Sequence, residues 1–415
     1  MPLDPARVVT RLKELRSETG DDDGAQRVAW TPRWARAREL LADSLGDVPL
    51  ESHRDAAGND WYTLGGASER AVLIGGHLDS VPNGGWLDGC LDVLAGAEIL
   101  RRVAEEGTPA VTVRLVDWAD EEGARFGRSL FGSSAAAGSM SDQEELGRLR
   151  DRDGISLPEA VAAFGVELDR ALDARQELEG AGAYLELHIE QGPVLESLDL
   201  PLGAVLGTFG VERHRVTWTG QAAHAGSTPM DRRRDALAGA AKLALEIREV
   251  ARDTGDGAVC TSGSVVCRPG IVTSVVETAE QLLDQRHLDG TKLAAMLDRA
   301  QKLSRRFADE EELAVAWERI WSIEPILFDP ELIELCDTAC REVSGASHRL
   351  PSGPLHDAAE VARAGIPTVM LFVQSLRGLS HTKLEDTREE HLELAVEALD
   401  RLASATIERV AAQSG

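Results

Sequence analysis

The chain has 415 residues, enough for two domains rather than one, and 71 acidic against 44 basic side chains leave a formal charge of −27. That balance excludes a nucleic acid or an anionic membrane as partner, since both need a basic face. With 43% hydrophobic and 28% charged residues, and no run approaching ~18 apolar residues, the composition is globular and excludes a membrane span.

In chain order, residues 1–14 mix apolar with charged side chains and carry no apolar export core. Residues 5–17 and 32–45 read as amphipathic helices, with 21–24 as a loop between them. Residues 72–75 are an apolar strand that stops at Gly76-His77-Leu78-Asp79, and 91–106 are helical by period. A second strand, 111–116, runs into Asp120-Glu121-Glu122. This alternation predicts an α/β fold with a mainly parallel sheet, whose chemistry sits at the carboxyl ends of strands. Character changes near residue 210: 211–220 and 263–276 read as strands and 234–250 and 290–307 as helices, a pattern fitting an antiparallel sheet with one wet face. A helix over 325–341, a buried strand over 368–372 and a closing helix over 389–413 follow. The predicted organisation is a catalytic domain from 1–210 and 328–415, with a domain inserted at 211–327. The cysteines (90, 260, 267, 336 and 340) are odd in number and unclustered, which predicts reduced thiols in a cytoplasm.

Five places join histidine or acid to a strand end. In His77-Leu78-Asp79 the carboxylate is placed to accept the second imidazole N–H. Asp88 follows within a glycine-rich turn; Asp120-Glu121-Glu122, the His188 segment and Gly378-Leu379-Ser380-His381 complete the set. Each alone is a weak signal. Together, in this order, they are specific.

The segments GGHLDSVPNGGWLDG (75–89), DEEGARFG (120–127), LELHIEQGPVLE (185–196), GQAAHAGSTPMDRRRDAL (220–237), PSGPLHDAAE (351–360) and GLSHTKLEDT (378–387) resemble the M20 metallopeptidase family. The resemblance is to its amidase branch, the N-carbamoyl-L-amino acid hydrolases, allantoate amidohydrolases and β-ureidopropionases. It implies a zinc-peptidase-like core and an inserted α+β lid domain through which the chain forms a homodimer. It further implies two divalent metal ions per subunit, with His77 and His188 on one, Glu122 and His381 on the other, and Asp88 bridging. Nitrogen and oxygen ligands without thiolate suit Zn²⁺, Mn²⁺ or Co²⁺.

Glu121 is the implied general base, directed away from Glu122 if the strand end stays extended; Asp79 belongs with it in the catalytic group. His224 is implied to polarise the substrate carbonyl from the partner subunit, Gln191 to read an amide or ureido end, and Arg286 to clamp a carboxylate. His356 is expected behind the ligands or facing substrate, not as a ligand. Several positions depart from the family pattern: Trp86 for arginine, Asp92 for glycine, Thr273 for a substrate-binding asparagine, Gln374 for proline and Leu355 for a small residue. The activity implied is hydrolysis of a linear amide or ureido C–N bond in a small molecule that also carries a carboxylate, an N-carbamoyl amino acid or allantoate-like acid. The alternatives are an aminoacylase or small-peptide hydrolase with the same metals, and a non-catalytic binding homologue.

Overall fold

The computed structural model describes residues 2–140 and 143–413. The chain forms two compact units, Met1–Leu206 with Phe328–Gly415, and Gly207–Leu327.

The first unit is built on a mixed sheet. Its centre is four parallel strands in the order Thr368–Val373, Ala181–Ile189, Ala71–His77 and Thr112–Trp118. Ala71–His77 is buried at every position, because both faces of a parallel strand are covered and no polar face is left to alternate. Antiparallel strands extend the sheet: Leu202–Thr208 on one side, Asp60–Leu64 and then Glu51–Arg54 on the other. The helices Cys90–Glu106, Pro330–Ser344 and Glu389–Ala412 pack against these strands. This is the mainly parallel α/β arrangement that the sequence predicts.

Two local expectations change. The loop expected at 21–24 is the turn of a small antiparallel hairpin, Gly20–Asp21 with Gly24–Ala25. Ala25 and Gly84 exchange backbone hydrogen bonds of 2.9 and 3.2 Å, so the hairpin props the turn that precedes Asp88. The helix expected from 325 starts at Pro330, behind an Asp329 cap that accepts the Leu332 N–H at 2.9 Å.

The second unit is a four-stranded antiparallel sheet, ordered Val259–Arg268, Thr278–His287, Gly210–Thr219, Ala314–Ile323. Helices Ala236–Thr254 and Gly290–Glu310 pack on it around Val216, Trp218, Leu243, Ile247, Leu283 and Phe307. The strand expected over 263–276 lies instead at Val259–Arg268. Pro269 follows it, and a residue without an N–H cannot continue a ladder. Among the described residues no helix is long and apolar enough to cross a membrane.

Candidate metal centre

The carboxyl ends of the four parallel strands converge on one cluster. His77 closes its strand, and His188 is the next-to-last residue of Ala181–Ile189. Each imidazole gives its Nδ1 proton to a backbone carbonyl, His77 to Asp79 at 3.1 Å and His188 to Ile189 at 2.8 Å. Both Nε2 atoms face the same oxygen, Asp88 Oδ1, at 3.5 and 3.0 Å, where a cation would take the place of the Nε2 protons. The other Asp88 oxygen faces a second group: His381 Nε2 lies 3.5 Å from Oδ2 and 3.3 Å from Glu122 Oε2. Within each group, His77–Asp88–His188 and Asp88–Glu122–His381, the donor atoms lie within 4.8 Å of one another. One carboxylate shared between two nitrogen-and-oxygen donor sets fits a pair of divalent cations.

Gly89 makes the turn behind Asp88 possible. Its φ of +66° suits glycine, and a Cβ there would overlap the His77 ring.

The acidic pair is set differently from the sequence expectation. The strand ends at Trp118, and Asp120 turns the chain with φ +57°, so the extended alternation does not reach Glu121. Asp79 separates the two instead. Its Oδ1 accepts the Glu121 N–H and its Oδ2 the Glu122 N–H, both at 3.1 Å. These bonds also correct the role foreseen for Asp79: its carboxylate stays 3.6 Å from His77 Nδ1, and its carbonyl takes the imidazole proton. Glu121 Oε2 lies 3.8 Å from His77 Nε2, whereas Glu122 Oε1 accepts the Val81 N–H at 3.2 Å.

Burial pushes the carboxyls of Glu121 and Glu122 well above their usual range, and nearby acids push them further. Burial works against the charged His77 ring, yet Glu121, Asp88 and Asp79 raise it well above the ordinary imidazole value. Asp88 is held well below the usual carboxylate range despite its burial, through His188 and His77. So much buried acid is the electrostatic setting that bound cations relieve.

Gln191, at φ +56°, donates from Nε2 to Asp88 Oδ2 at 2.7 Å and to Ser380 Oγ at 2.9 Å. His356 is buried, 2.8 Å from Ser352 Oγ through Nε2, with its ring 4.4 Å from that of His188. Burial and the neighbouring His188 hold it well below the ordinary imidazole value, so it is neutral. It belongs to neither donor group. Trp86 is buried and donates to Asp386 Oδ1 at 3.3 Å; Asp92 and Gln374 are buried as well. Sequence reasoning missed Glu385, a buried carboxylate that accepts the N–H of Leu87 at 3.0 Å and of Asp88 at 3.1 Å. Its only signal was an acid four residues after His381.

His224, Thr273 and Arg286 lie in the second unit. His224 is exposed and forms an antiparallel bridge with Ser274, and Ala225 N–H donates to the Thr273 carbonyl at 2.9 Å. The Arg286 fork already grips a carboxylate, with Nε 2.7 Å from Asp284 Oδ1 and Nη2 3.2 Å from Oδ2. Arg213 holds the same Asp284 at 2.8 Å.

A model of Peptidase family M20/M25/M40 matches residues 73–405. The chain is 37% identical over 400 residues to an N-carbamoyl-L-amino acid amidohydrolase of Geobacillus stearothermophilus, covering 95% of this chain and 96% of that protein. It is 32% identical over 380 residues to the allantoate amidohydrolase of Escherichia coli K12, covering 91% of each. Among solved structures, a hydantoinase/carbamoylase family amidase from Burkholderia multivorans superposes with a TM-score of 0.88 at 30% identity, over 97% of this chain and 98% of that one.

Proposed function

Because this chain belongs to peptidase family M20/M25/M40, we propose that it is a metal-dependent amidohydrolase of linear ureido or amide C–N bonds, with an N-carbamoyl-L-amino acid or an allantoate-like acid as substrate. The observation that carries the reading is Asp88, whose two oxygens face two separate donor groups. His77 and His188 would hold one ion, Glu122 and His381 the other, and Asp88 both. Two divalent ions there, Zn²⁺, Mn²⁺ or Co²⁺, supply Lewis acidity that polarises a carbonyl and lowers the pKa of water toward ~7.

The chain's own groups do the rest. Glu121 takes the proton of the attacking water and returns it to the leaving nitrogen. Its support is its place beside His77, with its backbone fixed by Asp79. Gln191 orients the amide or ureido group next to Asp88, and His356 packs His188 in place. His224 stabilises the developing oxyanion and Arg286 anchors the substrate carboxylate, while Thr273 stands in the place of the family asparagine. The Gly207–Leu327 unit acts as lid and dimerisation domain; its strands Val259–Arg268 and Ala314–Ile323 each have one edge free of partners within the described sheet. The five free thiols support a reducing cytoplasm.

The test is a panel of N-carbamoyl-L-amino acids, allantoate, N-acetyl amino acids and dipeptides, assayed with Mn²⁺ while ammonium and free amine are followed separately. Ammonium from the ureido acids is the expected outcome. Free amine from the N-acetyl compounds or dipeptides alone would move the chain to the aminoacylase or peptidase reading.

A further inference from the structure

Glu385 is buried, 2% exposed, and its partners are protein groups. Each of its oxygens is occupied by a different loop. Oε1 accepts the N–H of Leu87 at 3.0 Å and of Asp88 at 3.1 Å, and Oε2 accepts Ser380 Oγ at 3.0 Å. Asp88 is the shared carboxylate of the two donor groups, and Ser380 precedes His381. One buried carboxylate thus ties together two loops that lie almost three hundred residues apart in sequence. Gly85 leaves the room: a Cβ there would overlap the Glu385 carboxylate. The Ser380 hydroxyl has one proton to share between Glu385 Oε2 and Asp88 Oδ2, which lies 2.9 Å from Oγ, so the serine stands between the two carboxylates.

The two donor groups do not need this clamp equally. His77 and His188 are buried, and hydrogen-bonded sheet fixes their backbones. His381 sits outside any strand or helix, at φ +56°, with its side chain 51% exposed. Its distance from Asp88 depends on what holds the loop.

We propose that Glu385 is a positioning residue that sets the spacing of Asp88 from His381, and so the affinity of the second ion but not the first. The inference rests on the two-ion reading above. Partners that orient metal ligands in this way are worth ~10–100-fold in metal affinity.

The experiment is a Co²⁺ titration of the metal-stripped full-length chain by calorimetry and visible absorption. It is run on wild type, Glu385→Ala, Glu385→Gln and Ser380→Ala, with circular dichroism as the check on folding. Wild type takes up two ions. In Glu385→Ala the second binds ~10–100-fold more weakly while the first is unchanged. Glu385→Gln recovers most of the loss, because the amide oxygen still accepts both backbone N–H groups and the NH₂ still meets Ser380. Ser380→Ala, which cuts one arm of the clamp, weakens the second ion alone, and it tests the idea even if Glu385→Ala does not fold. Equal weakening of both ions, wild-type affinities in a folded Glu385→Ala, or a Gln variant no better than Ala overturns the assignment. A wild type that takes up fewer than two ions overturns the two-ion reading itself.

Discussion

Glu121 and Glu122 are adjacent in the chain and share a buried, acid-rich setting, yet they face different partners: His77 for the first, Val81 and His381 for the second. Their substitutions separate accordingly. Glu121→Gln keeps size and hydrogen bonding but cannot take a proton, so kcat falls by ~10²–10⁴ while both ions stay bound. Glu122→Gln lowers metal occupancy instead, read by elemental analysis of the purified variants; equal metal loss in the two would reverse the assignment. Residues with a motif around them were legible at this scale, since His77, Asp88, Glu122, His188 and His381 all stood at strand ends or in glycine-rich turns. Glu385 was not, because it acts on backbone amides far away in sequence, and no local pattern records such a contact. Asp79 was half legible. Its place beside His77 was readable, but its two bonds to the following acidic loop exist only in the fold.

Strand ends position these groups, and the buried pair Arg38–Asp117 holds one of them. Asp117 lies on the Thr112–Trp118 strand; its Oδ1 accepts the Leu78 N–H at 2.8 Å, and its Oδ2 accepts Arg38 Nε at 2.6 Å. Arg38 is 3% exposed and stacks on Trp34 with 3.9 Å to the ring centroid. Asp117→Ala would leave the buried Arg38 guanidinium with only the longer carboxylate contact to Asp60, at 3.6 Å, and free the Leu78 amide beside His77. We expect a loss of ~3–5 kcal/mol in urea denaturation; a loss under ~1 kcal/mol would show that the pair relaxes to water. Buried parallel strands were the most readable elements, because an unbroken apolar run has few other homes. The antiparallel strands of the second unit were less so. Thr278–His287 turns Gln281, Gln285 and His287 inward, and Ala314–Ile323 is exposed along much of its length, so hydrophobic alternation is blurred in both.

Two units share the chemistry proposed for the whole molecule: metal residues, Glu121 and Gln191 in one, His224 and Arg286 in the other. If His224 serves the site of a partner chain, mixing inactive His224→Ala and Glu121→Gln chains restores part of the activity, since each heterodimer holds one site with both residues intact. A mixture no better than its parents, with subunit exchange shown separately, places His224 in its own chain's site or outside catalysis. Arg286 is tested by substrate choice. Arg286→Ala should cut kcat/KM on carboxylate substrates by ~30–4,000-fold, the equivalent of ~2–5 kcal/mol, with metal content unchanged. A neutral amide analogue should be poor for wild type and almost indifferent to the change. Equal losses on both would make the Arg213–Asp284–Arg286 cluster structural. In the mechanism proposed above, two ions gathered around Asp88 drive hydrolysis of a linear ureido or amide bond. The most direct test is ammonium release from N-carbamoyl-L-amino acids and allantoate by chain stripped with a chelator and then reloaded with Mn²⁺, Co²⁺ or Zn²⁺. No turnover is expected in the stripped protein, with recovery that saturates at about two equivalents of ion per chain; full turnover with less than about a tenth of an equivalent bound, against those two, would overturn the two-ion mechanism.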